Sequence, residues 1–466
     1  MRKINKNLFV VFAGIFLGLA LASCQNPFLQ LEKDAVSVPG QSSFVYSPSE
    51  DSEGPAFTVS FVTNGGSPVT SISNVAPGSL ISEPETSMDY FIVEGWYKDL
   101  GLDDPWDFSY DEVNSNLTLY AGWDFDEGAQ GDGLSEDTPF LVYDALTLKK
   151  VGSEPTGAEA WDTYKYYLQI KDIDMTGINW IPIGPASNKF AGSYNGGGKT
   201  ISNLKYAGDP MGGDYVGLFS SLGDGARLEN IRLVNANIQG RDYVGGIVGD
   251  AGFSAVTNCY VTGSIKGRDN VGGIAGLVDF MTSSCYGSVE TCFADCTIES
   301  MSNKVGGLAG NNKGKIINCH AAGMVKTYGG TMYAGGLVGM NEVYGVIQNC
   351  YAANRVYGDI YVGGITGWAV GSTVENCVAL NEAIVGTYYV GRVIGELDGS
   401  STVNNNYAGD EIALSRLDTP DPMNDGITIP AGMENSMSWW TGNAGWVFDD
   451  VWEWDAVKQL PVLRGM

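Results

Sequence analysis

Between Phe190 and Asn406 the apolar positions fall into two columns that keep step with each other. Phe190, Val216, Val244, Val271, Val305, Ala334, Val362 and Val390 open equivalent stretches, at steps of 26, 28, 27, 34, 29, 28 and 28 residues. Leu204, Ile231, Cys259, Cys292, Cys319, Cys350, Cys377 and Asn406 follow them by 14 to 21 residues. Two columns in step over eight cycles are an internal repeat. Short runs of period two at a period near 28 residues, without an amphipathic helix, predict an all-β solenoid in which each cycle is one coil paired with the coils above and below. The expected architecture is a right-handed parallel β-helix of about eight or more coils.

The parity inside one cycle predicts a corner. In AVTNCYVTGSIKG, Val256 and Asn258 share one parity and Cys259, Val261 and Ile265 the other. Both sets carry apolar anchors, so both point inward only if the chain bends between them, and Asn tolerates the left-handed conformation of such a bend. Asn203, Asn230, Asn258, Asn318, Asn349, Asn376 and Asn405 take this place, with Thr291 the departure, and their amides are expected to bond along the column. The column cysteines become small inward residues with free, buried thiols; a Cys285–Cys296 bridge stays open. The doubled glycines, such as Gly245-Gly246 and Gly335-Gly336, mark close approach of another backbone rather than a phosphate loop, since no helix follows them.

Outside the repeat the pattern changes. Residues 56–124 alternate apolar and polar positions in FTVSFVTNGG, a strand ending in an Asn-Gly turn, followed by EGWYKD, WDFS and LTLYAGW. These pieces resemble the internalin B-repeat, or Listeria-Bacteroides repeat, family. The resemblance implies a small β-grasp-like module, with Trp96, Trp106 and Trp123 as its core. An acidic linker at 125–138 leads into 139–412. There YVGGIVG, NVGGIAG, KVGGLAG, YAGGLVG and YVGGITG, each followed by Asn-Cys or Thr-Cys, resemble the GLUG-motif family of bacterial surface proteins. Val390-Gly391-Arg392 departs from that pattern, so the repeat is ending there. YDALTLKKVGSE reads as an N-terminal capping helix. The Trp-rich segment 413–466 reads as the C-terminal cap, with LPVLRGM a final strand.

The N-terminal residues place the protein. Arg2, Lys3 and Lys6 precede an apolar run from Leu8 to Ala22, the layout of a secretory signal. Leu21-Ala22-Ser23-Cys24 resembles the lipobox of bacterial lipoproteins. That resemblance implies a signal peptide at 1–23, a lipidated Cys24, a tether at 24–55, and anchoring to the bacterial envelope at the outer membrane or cell surface.

Charge narrows the partners. With 54 acidic and 26 basic residues the formal charge is -28, which argues against nucleic acid. The single histidine, His320, and the lack of HExxH leave no zinc-peptidase site, and no cofactor or metal is expected beyond a weak calcium site at acidic turns. Asp214, Asp242 and Asp269 recur two residues before the column valine, and Asp172 pairs with Asp174. They are turn residues or, in the rival reading, the clustered acids of a β-helical polysaccharide-degrading enzyme. Tyr260, Phe293, His320 and Tyr351 form an outward aromatic column. It is read either as a ligand-binding strip for sugar or peptide or as a stabilising ladder. The expected protein is a monomeric, lipid-anchored surface protein binding glycans or host or matrix glycoproteins, with the enzyme and a structural envelope spacer as alternatives.

Overall fold

The computed structural model describes residues 55–157, 160–207, 213–282, 285–328, 333–417, 422–448 and 450–465. The expected signal peptide, Cys24 and tether lie outside them. The described chain forms two compact units, the smaller within residues 55–122 and the larger from residue 123 onward, which also takes in residues 88–92.

In the smaller unit Phe57–Val62 pairs antiparallel with Ile72–Val75 and parallel with Leu117–Phe125, in a five-stranded sheet completed by Phe91–Tyr97 and Pro105–Trp106. The Asn-Gly turn is present, with Asn64 and Gly65 both at positive φ. Val59, Leu119 and Trp96 are fully enclosed, and Phe61 meets the Trp96 ring edge-on at 5.1 Å. Trp106 is buried and Trp123 half-buried.

The larger unit is a parallel β-solenoid. One coil runs through Asp242–Val244, Val248–Asp250, Ala255–Thr257 and Tyr260–Gly267, and these strands belong to sheets of six, seven, ten and fourteen strands respectively. Val244, Val271, Val305, Ala334, Val362 and Val390 stand in register, each paired with the next. With Ile247, Val256, Cys259, Val261 and Ile265 and their counterparts they fill one continuous core.

The first predicted cycle is out of step. Phe190 bridges to Leu222, not Val216, and Ile183 is the residue opposite Phe219. Asn203 lies not at the corner but beside Asn235, because Ile201 pairs with Leu233 and Lys205 with Asn237. In this lead-in coil Gly196-Gly197-Gly198 takes the corner instead, with Gly197 at φ 57° and the Gly196 amide donating to Glu229 O of the next coil.

From the second cycle on the corner is as predicted: Asn230, Asn258, Thr291, Asn318, Asn349, Asn376 and Asn405 have φ between 53° and 57°. Their amides bond along the column, Asn258 to Asn230 at 2.6 Å and Asn405 to Asn376 at 2.8 Å. Thr291 is the one β-branched side chain there and carries the left-handed strain that Asn tolerates. Thr291→Asn is therefore expected to stabilise the protein by about 1 kcal/mol, read as a higher denaturant midpoint. An unchanged or lower midpoint would contradict the corner's role.

The doubled glycines follow from the tight passage between the six- and seven-stranded sheets. A Cβ on Gly335 would run into Val338 O of its own coil, and one on Gly336 into Gly364 O of the next. At the N-terminal end Asp144 caps the short helix Ala145–Lys150 through a capping box, and Leu148 is buried. At the other end Arg392 stands where the second glycine would be. Its amide donates to Asp425 Oδ1 at 3.0 Å, Val393 donates to Asn424 O, and Ile427–Ile429 pairs with Tyr407–Gly409.

The remainder of the Trp-rich segment does not close the end. The helix Met437–Gly442 and the antiparallel pair Trp452–Asp455 and Leu460–Leu463 lie along the outside of the fourteen-stranded sheet.

Candidate functional site

The predicted aromatic column exists, in register from Tyr260 through Phe293 and His320 to Tyr351. Successive ring centroids are 5.3, 3.9 and 4.7 Å apart, with planes within 30° of each other. Rings stacked this way turn their faces to one another, so they do not offer those faces to a sugar. Nor is the column open. His320 is 6% and Tyr351 4% exposed, because the Trp-rich strap lies on them. Tyr351 packs against Trp440, Trp446 and Trp452 and donates through its hydroxyl to Pro461 O at 2.8 Å. The expected ligand strip is thus corrected for these two residues, while Tyr260 and Phe293 stay half-buried. Burial, reinforced by Lys458, pushes the His320 imidazole down to about 3, which leaves it a neutral ring in a stack.

A second aromatic column escaped the sequence reading. The residue before the column valine is Tyr at 215, 243, 333, 361 and 389, and Tyr215, Tyr243, Tyr361 and Tyr389 are left-handed, with φ between 52° and 59°. Tyr215 and Tyr243 stack at 4.7 Å, and Tyr361 stacks on Tyr333 at 5.2 Å and on Tyr389 at 4.8 Å. Tyr333 and Tyr361 also lie parallel to Trp368, on the seven-stranded sheet. The signal was the recurrent Tyr in front of Val-Gly or Ala-Gly at the start of a coil.

The acidic column is already occupied. Arg241 forks onto Asp214 and Arg268 onto Asp242, each a guanidinium from the following coil, and the Arg241 bonds hold the Asp214 carboxyl below its usual range. Asp269 meets Asn303 at 3.5 Å, Asp172 accepts from the Thr200 amide, and Asp174 accepts from Thr176 and Asn203. These are positions in a ladder of turns. Among the described residues no group of three or more His, Cys, Asp and Glu side chains is placed to hold a metal ion.

The column cysteines Cys259, Cys292, Cys319, Cys350 and Cys377 are buried and free, as is Cys296, so the Cys285–Cys296 bridge does not form. Each of the five column thiols bonds the carbonyl two residues before it, as Cys319 does to Ile317 O at 3.1 Å, while the Cys296 thiol bonds Val261 O of the preceding coil. Burial pushes the Cys259, Cys319 and Cys377 thiols up, which makes them structural rather than reactive.

The ten-stranded sheet is different. Its outward positions carry the row Asn195, Glu229, Thr257, Glu290, Ile317, Gln348, Glu375 and Asn404, each half-buried or exposed and polar except Ile317. Neighbours bond across coils, Asn195 to Glu229 at 2.8 Å and Gln348 to Glu375 at 2.7 Å. The Asn corner borders this ladder, so amides and carboxylates repeat at the coil spacing of about 4.8 Å.

Residues 57–122 match the Listeria-Bacteroides repeat domain, and residues 240–266 and 330–357 match the GLUG motif. A protein of Evansella cellulosilytica with the provisional name Gly-rich membrane protein is 35% identical over 123 residues, 23% of this chain and 14% of that one. A second protein of that organism, provisionally named a membrane protein, is 42% identical over 69 residues, 15% of this chain and 10% of its own. Halomucin of Haloquadratum walsbyi is 30% identical over 143 residues, 29% of this chain and 2% of Halomucin. The chain therefore spans at most 14% of the length of these three relatives. Among solved structures, a protein of Bacteroides ovatus provisionally named an immunoglobulin A1 protease is 21% identical, with a TM-score of 0.49 over 72% of this chain and 94% of that one.

Proposed function

We propose that this chain, with its Listeria-Bacteroides repeat domain and GLUG-motif solenoid, is an envelope-attached binding protein that retains glycans or glycan-bearing proteins of host or matrix without turning them over. One observation carries the reading. The ten-stranded face presents a row of amides, carboxylates and one hydroxyl broken only at Ile317, whereas the fourteen-stranded face lies in part under its own Trp-rich strap. A flat polar row with a fixed repeat suits the hydroxyls of an extended polysaccharide laid along it. Envelope attachment rests on the charged start, the apolar run to Ala22 and Cys24 as lipid acceptor, and the relatives named as membrane proteins agree with it.

The test is retention of the purified full chain on immobilised glycans and matrix glycoproteins, with released sugar ends followed in the same wells. Retention without product is the expected outcome. Product would overturn it in favour of an enzyme, and absence of both would leave a structural spacer.

A further inference from the structure

At its N-terminal end the ten-stranded face changes character. Tyr166, Ser193 and Arg227 stand in register on three successive coils. Lys165 and Tyr167 are buried, at 5% and 2% exposure, while Tyr164, in the turn before the strand, and Tyr166, the first residue of the strand, both line a surface groove. Tyr164 is 60% exposed, although an aromatic of that size ordinarily finds cover.

Beside this pair the surface drops to Gly192 and Ser193, and a Cβ on Gly192 would strike Lys165 O, so the backbone itself keeps that floor low. Beyond the floor rises Arg227, with Glu136 at 3.6 Å from its guanidinium. Both are about two-thirds exposed, at 66% and 68%. An exposed pair of this kind contributes little to stability, and the guanidinium keeps further donors for a ligand. The groove between these walls measures about 340 Å³. It has aromatic surface on one wall and one donor and one acceptor group on the other. In a chain of formal charge -28, these charged residues cancel.

We infer that this groove is a saccharide subsite, taking a neutral pyranose unit that packs its C–H face on Tyr164 and Tyr166 and shares its hydroxyls with Arg227 and Glu136. The inference rests on the binding function proposed above and names where on that face, and for which ligand class, it operates. A uronic acid would face the Glu136 carboxylate and a cationic peptide the Arg227 guanidinium, so an uncharged sugar fits the pair best.

The experiment uses the full chain with cello-, xylo- and manno-oligosaccharides, measured by isothermal titration. The variant pair Tyr164→Ser with Tyr166→Ser is expected to weaken binding by at least about tenfold at an unchanged melting temperature. The Tyr-to-Phe pair, which keeps the rings, should stay close to wild type. If the serine pair lowers the melting temperature, Arg227→Ala and Glu136→Gln carry the same expectation from exposed positions. Oligosaccharide binding untouched by all of these changes would overturn the groove and leave the proposed function standing. Retention on matrix protein with none on the neutral oligosaccharides would overturn the ligand class, and wild-type protein binding neither would sink the function as well.

Discussion

Gly335→Ala is expected to lower the stability of the solenoid by about 3 kcal/mol or more. A methyl group there would meet Val338 O of the same coil and the Thr366 backbone of the next. Both obstacles are backbone in a β ladder, so neither gives way as a flexible side chain would. Opening the turn would also pull Ala334 out of register with Val305 and Val362, so the error cannot stay in one coil. The control is Gly399→Ala, where a Cβ has nothing within 4 Å and the change should stay within about 0.5 kcal/mol. Denaturant midpoints of the two variants and wild type decide the matter. Equal midpoints would mean that the glycine pair marks sequence habit and not packing.

Trp440→Ala is expected to release the strap at a cost of about 3 to 5 kcal/mol. Trp440 is fully buried, lies edge-on to Tyr351, Trp439 and Trp446, and donates its indole N–H to Glu434 O at 2.7 Å. The chain has a single histidine, so one titrating imidazole reports directly on the seating of the strap. With the strap in place His320 titrates at about 3, and with it released at about 6.5. Because the seated value is the lower one, the neutral ring is favoured under the strap. Its contribution is whole above pH 6.5 and is lost as pH falls toward 3, by about 1.4 kcal/mol for each unit. The groups around it are Phe293, Tyr351, Trp452 and Lys458. Imidazole nitrogen shifts followed by NMR against pH would show a low midpoint in wild type and one near 6.5 in the variant. A wild-type midpoint near 6.5 would mean that the strap does not cover the histidine.

The coil was legible in the sequence wherever the determinant was local and repeated. A left-handed Asn between two strands of opposite parity is a local demand, and six cycles state it, so Asn258 and Asn376 sit where expected. Phe190 and Asn203 misled because the lead-in coil replaces the Asn corner with three glycines, and counting along the chain absorbed the difference without a trace. The strap was not legible for another reason. Tyr351 and Pro461 meet across 110 residues, and nothing in either neighbourhood states that they pair; the aromatic column reads as a ligand strip or a ladder and the Trp-rich segment as an end cap, and instead they pack on each other. The acidic column was half legible. Turn aspartates were anticipated, but Arg241 and Arg268 were not weighed as partners, although each stands one coil beyond the acid it neutralises. The groove at Tyr164 and Arg227 was invisible because it depends on which residues of three successive coils line up.

The strap touches coils far from one another. Tyr407 donates to Asn443 O, Trp446 to Asn376 O and Arg232 to Gly465 O, and the rungs from Arg232 through Tyr260, Phe293, His320, Tyr351 and Val378 to Tyr407 all lie between those attachments. A stack of repeats ordinarily couples only nearest neighbours and frays from its ends. Here one lashing runs across the rungs like a batten across planks, so a rung cannot peel away until the batten lifts. Under shear the stack is therefore built to yield in one event rather than coil by coil, as the proposed binding role requires.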